Sequence, residues 1–139
     1  MPYTSRQTVR WSDLDALNHL NNATYLTLCE EARIDVLTSL DPEWWNETHS
    51  PVVAAASLQF RRPITEPGAV VVTIRFDAPG RSSLRMTYSV AREAAPDVVC
   101  CEADSTLVWI DLTTGASTPL PDRLRAAVTA ERGREADPV

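Results

Sequence analysis

One long amphipathic helix, in a chain whose other segments are patterned as strands, is the feature that most restricts the fold. From about residue 23 to residue 40, apolar side chains recur at helical spacing and share one face of the helix. They are Tyr25, Leu28, Cys29, Ala32, Val36, Leu37 and Leu40. Asn21 or Asn22 stands where an N-cap is expected. Asp41-Pro42-Glu43 predicts a second, short helix, because it offers a cap, a first-turn proline and an acid.

The segments outside the helix are patterned as strands. Residues 3–11 alternate apolar with polar side chains, and so do later runs near residues 54–61, 70–77, 83–90 and 98–111. Turn sequences such as Pro67-Gly68 separate the runs. Each strand has one apolar face, and only one long helix is available to cover it. We therefore predict an α+β fold in which an antiparallel sheet curls around the central helix.

The other sheet face and the end of the chain complete this outline. Val71, Thr73, Thr87 and Ser89 lie on that second face as uncharged strand formers, which is compatible with a dimer. Asp122 is expected to cap a short C-terminal helix. We assign residues 1–132 to one domain and residues 133–139 to a flexible tail.

The composition excludes several classes of function. All 13 basic residues are arginine, so neither a Schiff-base lysine nor a phosphate-loop lysine is available. With only His19 and His49, a three-histidine zinc site is impossible, and we expect no metal site. The net charge of −6 argues against a nucleic-acid partner. Because the sequence has neither an apolar run of ~20 residues nor a signal-peptide core, we expect no membrane span and a cytoplasmic location.

The cysteines do not form a disulfide framework. Cys29, Cys100 and Cys101 are odd in number, and the two adjacent ones would point to opposite faces of a strand. We expect small buried thiols in a reducing compartment.

The densest group of reactive side chains lies between the first strand and the long helix. Asp13, Asp15, His19, Asn21 and Asn22 all fall there. The positive end of a helix stabilises a nearby carboxylate, and its free N–H groups can hold an oxyanion. Such a carboxylate can act as a nucleophile or as a base toward water. Aspartate and asparagine are also ordinary loop and cap residues, so both interpretations stay open at this level.

Two further groups place arginines and hydroxyls at strand ends. Arg61-Arg62-Pro63 and Arg81-Ser82-Ser83 suit phosphate binding, although isolated loop arginines are more often solvated surface.

The segment around these aspartates resembles a known family signature. Residues 9–26, with H-L-N-N-A-T-Y-L at their end, and the following Glu30-Glu31-Ala32-Arg33 are similar to the 4-hydroxybenzoyl-CoA thioesterase family of hotdog proteins, especially to its bacterial acyl-CoA thioesterases. Phe60-Arg61-Arg62-Pro63, Gly80-Arg81-Ser82-Ser83 and Val108-Trp109-Ile110-Asp111-Leu112 extend the similarity over nearly the whole chain.

This resemblance implies a hotdog fold and a thioester hydrolase acting on an acyl-CoA. It implies Asp15 as the catalytic carboxylate, as nucleophile or base, with Asp13 supporting the loop and a helix N-terminal N–H polarising the thioester carbonyl. Asn22 is expected to position water or the carboxylate, and His19 is a further catalytic candidate. It also implies a homodimer with edge-to-edge sheets, which can pair again into a homotetramer. No cofactor is implied, since coenzyme A is part of the substrate.

The remaining predictions concern substrate binding and the departures from the family. We predict that Tyr25, Arg62, Arg81, Ser82 and Ser83 bind substrate. Trp44 and Trp45 either line an acyl channel or plug one end of the core. Many members have glycine where this chain has Asn18, and others have histidine at the position of Asn22. These departures keep open a non-catalytic module that binds acyl thioesters. A hotdog enoyl-CoA hydratase is a second alternative, because hotdog proteins include such hydratases, but their aspartate–histidine motif is not found in this sequence.

Overall fold

The strands form one antiparallel sheet, and the long helix lies against one of its faces. The structure, a computed structural model, describes residues 3–136. In chain order the elements are β1 (Tyr3–Val9), α1 (Asn22–Leu40), β2 (His49–Phe60), β3 (Gly68–Phe76), β4 (Ser83–Arg92), β5 (Val99–Asp111) and α2 (Asp122–Ala136). The predicted α+β class, with the hotdog arrangement of one long helix against an antiparallel sheet, is confirmed.

Hydrogen bonds fix both ends of α1. Asn21 is the N-cap, since its side-chain oxygen accepts the Ala23 N–H at 2.9 Å. At the other end, the Asp41 N–H donates to the Leu37 carbonyl at 2.9 Å. The second helix predicted at Asp41 is wrong: the Asp41 carboxylate accepts the Glu43 N–H at 2.9 Å, and residues 42–48 form turns and bends. A tertiary contact holds these turns, because the Trp109 indole N–H donates to the Trp44 carbonyl at 2.8 Å.

The sheet has five strands in the order β1-β3-β4-β5-β2. The longest strand, β5, pairs with β4 on one side and with β2 on the other. Phe60 of β2 lies opposite Cys101, whereas Ser83 of β4 lies opposite Val108, so these two residues mark opposite ends of β5. The strand that follows the helix, β2, is therefore an edge of the sheet.

The core lies between α1 and the inner face of the sheet. Its fully buried side chains include Leu37, Ile74, Leu84, Met86, Leu107 and Trp109. Leu124 and Val128 of α2 join the same cluster. Cys29, Cys100 and Cys101 are free and buried, as predicted.

One part of the inner face stays uncovered. The approach of α1 is closest at β1 and β3. Residues 52–57 of β2 are all exposed, and Val53, which lies opposite the inward-facing Leu107, is 49% exposed. The edge strand therefore presents both its backbone and apolar side chains to the surroundings.

The outer face of the sheet carries more charged side chains than its uncharged residues Val71, Thr73, Thr87 and Ser89 led us to expect. Arg85 pairs with Asp77 at 2.9 Å and with Asp104 at 3.4 Å. Thr87 lies opposite Asp104, and Ser89 lies opposite Glu102. Neighbouring strands thus surround the uncharged residues with ion pairs.

The C-terminal helix continues past the predicted domain end at residue 132. Arg134 pairs with Glu131 at 2.7 Å, one turn earlier, and this pair supports the last turn through Gly133. Residues 137–139 of the predicted tail lie outside the described residues. Within residues 3–136, no helix is long and apolar enough to cross a membrane.

Replacement of Leu37 tests this account of the core. Leu37 is fully buried on α1, so Leu37→Ala should lower the free energy of unfolding by about 2–5 kcal/mol. Urea denaturation measures the change, with Leu112→Ala as control because Leu112 is 48% exposed. Equal losses in both variants would contradict the assignment of α1 to the core.

Candidate active site

The segment between β1 and α1 is held in place at its base. We call residues 13–21 the aspartate loop. The Leu20 N–H donates to the Ile64 carbonyl at 2.7 Å, and the Asn21 N–H donates to the Asp13 carbonyl at 2.9 Å. Leu14 and Leu20 also form an isolated antiparallel bridge. The loop is thus closed on itself and anchored to the segment between β2 and β3.

Asp15 sits at the tip of this loop with an accessible carboxylate. Its Oδ1 accepts the Leu17 N–H at 2.9 Å and the His19 N–H at 3.2 Å. Its backbone exchanges hydrogen bonds with His19 and Asn18 at 2.8 and 2.9 Å. Asp15 is exposed and makes no ion pair with any residue from 3 to 136, and Oδ2 has no hydrogen-bond partner there. The carboxylate is therefore oriented through one oxygen and open at the other.

The turn after Asp15 depends on an unusual backbone conformation. Asn18 has φ 61°, in the left-handed region that glycine adopts most easily and asparagine tolerates better than most residues. Asn18 therefore fills a position where a glycine would serve as well, and the departure at this position does not prevent the turn.

Asp13 is tied down instead of free. Its Oδ1 lies 3.1 Å from Arg10 Nη2, and its Oδ2 accepts the Arg10 backbone N–H at 2.8 Å. These hydrogen bonds from Arg10 lower the pKa of Asp13 below its ordinary value. Only 12% of the side chain is exposed. Asp13 thus holds the loop, while Asp15 faces solvent.

A cleft opens beside the loop at the start of α1. It has a volume of about 290 Å³ and is lined by His19, Asn22, Tyr25, Phe60 and Arg62, among others. The Ala23 N–H is capped by Asn21, and the Thr24 N–H donates to the Asn21 carbonyl. The Asn22 N–H has no acceptor within residues 3–136, so it is available to an oxyanion. Asp15 does not line the cleft itself, but His19, whose backbone N–H donates to the Asp15 carboxylate, does.

Tyr25 forms part of the wall of this cleft and does not act as a base. Its ring meets Phe60 edge to face, with the centroids 5.3 Å apart. Burial raises the pKa of Tyr25 to about 12, so the phenol stays protonated at neutral pH.

The structure separates the predicted substrate-binding arginines within one chain. Arg62 lies at the cleft, exposed and without an ion pair among residues 3–136. Arg81, Ser82 and Ser83 lie at the other end of β5, where the Ser82 carbonyl accepts the Trp109 N–H at 2.8 Å. Seven positions of β5 separate the Phe60 and Ser83 partners, or about 23 Å. A single chain therefore brings Asp15, His19, Asn22, Tyr25 and Arg62 together but not Arg81, Ser82 and Ser83.

Further cavities lie along the side of α1 that faces β2. Two of them, of about 270 and 280 Å³, adjoin each other at Glu30, Arg33 and Val53, one to two turns of α1 beyond the cleft. The middle one is lined by Leu26, Cys29, Arg33, Ala56, Tyr88 and Ser105, and the last by Ile34, Trp44, Trp45, Pro51 and Leu107. We call the three together the α1–β2 groove. It follows α1 from Asn22 to Ile34, about 18 Å at the helical rise.

Comparison with known proteins identifies the family. Residues 9–128 match the Thioesterase-like superfamily. The chain belongs to that superfamily. It is 33% identical over 119 residues to the long-chain acyl-CoA thioesterase FadM of Escherichia coli, covering 84% of this chain and 89% of FadM. The family resemblance noted in the sequence is thus confirmed.

Two further proteins similar to this thioesterase-like chain are a CoA hydrolase and a thioesterase of known structure. It is 27% identical to the 1,4-dihydroxy-2-naphthoyl-CoA hydrolase of Nostoc punctiforme, covering 96% of this chain and 97% of the hydrolase. Among solved structures, a Thermus thermophilus thioesterase complexed with coenzyme A and Zn has a TM-score of 0.77 and 36% identity, covering 90% of this chain and 95% of that one. In the described part of the chain, no cluster of three or more His, Cys, Asp or Glu side chains could hold a metal.

Sequence reasoning missed the middle of the groove in this thioesterase-like chain. Arg33, Tyr88 and Ser105 come from α1, β4 and β5, and only the tertiary fold joins them. One signal was present: Ser105 is a polar residue on the inward-facing side of β5, between Ala103 and Leu107. A serine at a core position of a strand indicates a hydrogen-bonded partner nearby.

The Arg10–Asp13 pair predicts a pH-dependent contribution to stability. Because the pKa of Asp13 is lowered in the folded state, its charge stabilises the protein above the unfolded pKa of about 4, and this contribution is lost as pH falls through the folded value. Asp13→Asn should therefore lower Tm at pH 7, at a cost of roughly 1 kcal/mol or less.

Thermal unfolding of wild type and Asp13→Asn between pH 7 and pH 3 checks this expectation. The two melting curves should converge at the acid end. A gap that is constant over the whole range would mean that the Asp13 charge does not contribute.

Proposed function

We propose that this chain hydrolyses an acyl-CoA thioester to a free acid and coenzyme A, with Asp15 as the reacting carboxylate. The observation that carries the proposal is the Asp15 side chain, which is fixed through Oδ1 and open at Oδ2, in a loop that leads into the helix start with the uncapped Asn22 N–H. Membership of the thioesterase-like superfamily and the acyl-CoA hydrolases among its relatives support the reaction class.

The chemistry follows from this arrangement. Oδ2 of Asp15 either attacks the thioester carbonyl or takes a proton from the water that attacks it. The carbonyl oxygen gains charge and is stabilised by the Asn22 N–H at the positive end of α1. The C–S bond then breaks, and the thiolate of coenzyme A leaves and takes up a proton, which Asp15 supplies in the water route. In the nucleophile route, water then hydrolyses the acyl–Asp15 anhydride, which releases the free acid and restores the carboxylate. In the water route, the Asn22 amide and the His19 imidazole are within the same cleft to orient the water.

The acyl group is proposed to lie in the α1–β2 groove. This groove starts at the cleft and is lined by apolar and small side chains such as Leu26, Val53 and Ala56. Its far end is formed by Trp44 and Trp45, so these residues line the groove and would limit the length of the acyl chain.

A second copy of the chain is proposed to pair along β2. An isologous antiparallel pairing of two identical edge strands has its twofold axis perpendicular to the sheet, so both copies of α1 would lie on the same face. The α1 helix of the second copy would then lie beside the α1–β2 groove and cover it. The exposed apolar side chains of residues 52–56 support this pairing.

The same pairing brings the separated arginines toward the cleft. Because the strands run antiparallel, the end of β2 at Phe60 lies beside the start of β2 in the second copy. The partner subunit's Ser83 is at that end, about 14 Å away across the intervening strands. The partner subunit's Arg81 and Ser82 could therefore bind the phosphates of coenzyme A together with Arg62. Further pairing into a tetramer, and a cytoplasmic location, belong to this proposal as well.

Replacement of Asp15 tests the mechanism. Asp15→Asn should lower kcat by about a hundredfold or more, since it removes the acid–base or nucleophilic group but keeps the loop hydrogen bonds. Release of free thiol from a panel of acyl-CoAs measures the rate, and Asp97→Asn, at an exposed turn position, is the control.

The same assay separates the alternatives. Undiminished thiol release by Asp15→Asn would remove the proposed mechanism. Tight binding of acyl-CoA without thiol release in wild type would favour a binding module, and conversion of enoyl-CoA without thiol release would favour a hydratase.

Substitution on the edge strand tests the second copy. Val52→Lys places a charge on the exposed edge, which should yield a monomer, because lysine blocks edge-to-edge pairing. Light scattering after size-exclusion chromatography measures the mass, with Leu112→Lys as control. A wild-type monomer, or a Val52→Lys dimer, would argue against pairing through β2.

A further inference from the structure

The middle of the α1–β2 groove contains a polar cluster that a purely hydrocarbon chain does not need. Arg33 Nη1 donates to Tyr88 Oη at 3.2 Å, and Tyr88 Oη lies 2.6 Å from Ser105 Oγ. Tyr88 and Ser105 are each only 3% exposed, and all three residues line the middle cavity. Polar groups in an otherwise apolar wall weaken the binding of a hydrocarbon unless a ligand atom pairs with them.

The cluster has more hydrogen-bond donors than strong hydrogen-bond acceptors. Tyr88 Oη accepts from Arg33, and the short Tyr88–Ser105 bond uses one of the two hydroxyl protons. The other acceptor near Tyr88 is Met86 Sδ at 3.8 Å, and a thioether is a weak acceptor. When Tyr88 donates to Ser105, the Ser105 hydroxyl proton is left for an acceptor in the cavity.

Arg33 adds unused donors to the same place. It is half-buried, and within residues 3–136 its guanidinium forms no ion pair and only the one hydrogen bond to Tyr88. Burial raises the pKa of Tyr88 and the Arg33 cation opposes that rise, so the phenol is a neutral donor and acceptor at physiological pH. Both features favour an oxygen acceptor from a ligand.

The charges around the cavity determine which oxygen fits. Glu30 lines the same cavity as Arg33, so one carboxylate already balances the one cation, whereas the Asp104 carboxylate is held by Arg85 and Ser57 on the outer face. A carboxylate on the ligand would be repelled by Glu30, whereas a hydroxyl or carbonyl oxygen would not.

We propose that the groove selects acyl groups that carry a neutral oxygen, a hydroxyl or a carbonyl, at the level of Arg33, Tyr88 and Ser105. This inference rests on the proposed function, because it assigns the substrate class to the same site. From Asn22, where the thioester is placed, to Cys29 and Arg33 is about 10–16 Å along the helix. The oxygen therefore belongs to the distal half of a medium-length chain and not to the carbons next to the thioester.

A positional scan tests this inference. The substrates are dodecanoyl-CoA and derivatives with one hydroxyl at successive carbons from the middle of the chain to its end. Wild type should show a kcat/KM ratio, hydroxylated over plain, of about tenfold at the best position, the effect of one or two hydrogen bonds. Tyr88→Phe and Ser105→Ala should each reduce this ratio toward one. The matched controls Tyr3→Phe and Ser89→Ala lie outside the groove and should keep it.

Equilibrium binding of the same series to Asp15→Asn makes the result independent of turnover. A hydroxyl preference in binding without thiol release from wild type would support the inference and remove the proposed hydrolysis. Thiol release with a ratio near one at every position would support hydrolysis and overturn the inference. A preference that survives in both Tyr88→Phe and Ser105→Ala would also overturn it.

Discussion

The difference in width between one helix and five strands determines the rest of this structure. An α-helix with its side chains is about 10 Å across, whereas five strands span about 20 Å. When α1 packs over β1 and β3, it therefore leaves the inner face of β2 and part of β5 without cover. The groove, the exposed edge strand and the polar cluster at Arg33 all result from this uncovered strip. A wider helical layer would have turned the same residues into ordinary core.

The aspartate loop depends on local interactions of a different kind. Its geometry comes from hydrogen bonds between near neighbours: Asp15 with the Leu17 and His19 amides, Asp13 with Arg10, and Asn21 with Ala23. These bonds give the two aspartates opposite roles, although they are two positions apart. Asp13 uses both of its oxygens on Arg10, and Asp15 keeps one oxygen open. The loop leads directly into α1, where the Asn22 N–H is uncapped, so the proposed reacting carboxylate and oxyanion donor come from one continuous segment.

Much of this could be predicted from the sequence, because the relevant interactions are short in range. The bounds of α1, its Asn21 cap, the antiparallel strands and the turns follow from periodicity and capping chemistry. The prediction of a helix at Asp41 was wrong because a distant residue, Trp109, binds the Trp44 carbonyl and holds that segment in turns. The charge on the outer face was also underestimated, since Asp104 and Glu102 reach it only through strand pairing.

The sequence by itself determined the fold class and the position of the aspartate loop at a helix start, since short-range patterns control both, and its composition determined the absence of lysine chemistry. Only the tertiary structure decided that Arg62 lies at the cleft while Arg81 lies at the far end of β5, and that Arg33, Tyr88 and Ser105 meet in one cavity. The physical reason is that the order of the strands and the position of the helix on the sheet decide which residues of three separate elements come together. Neither is encoded in any local run of the chain.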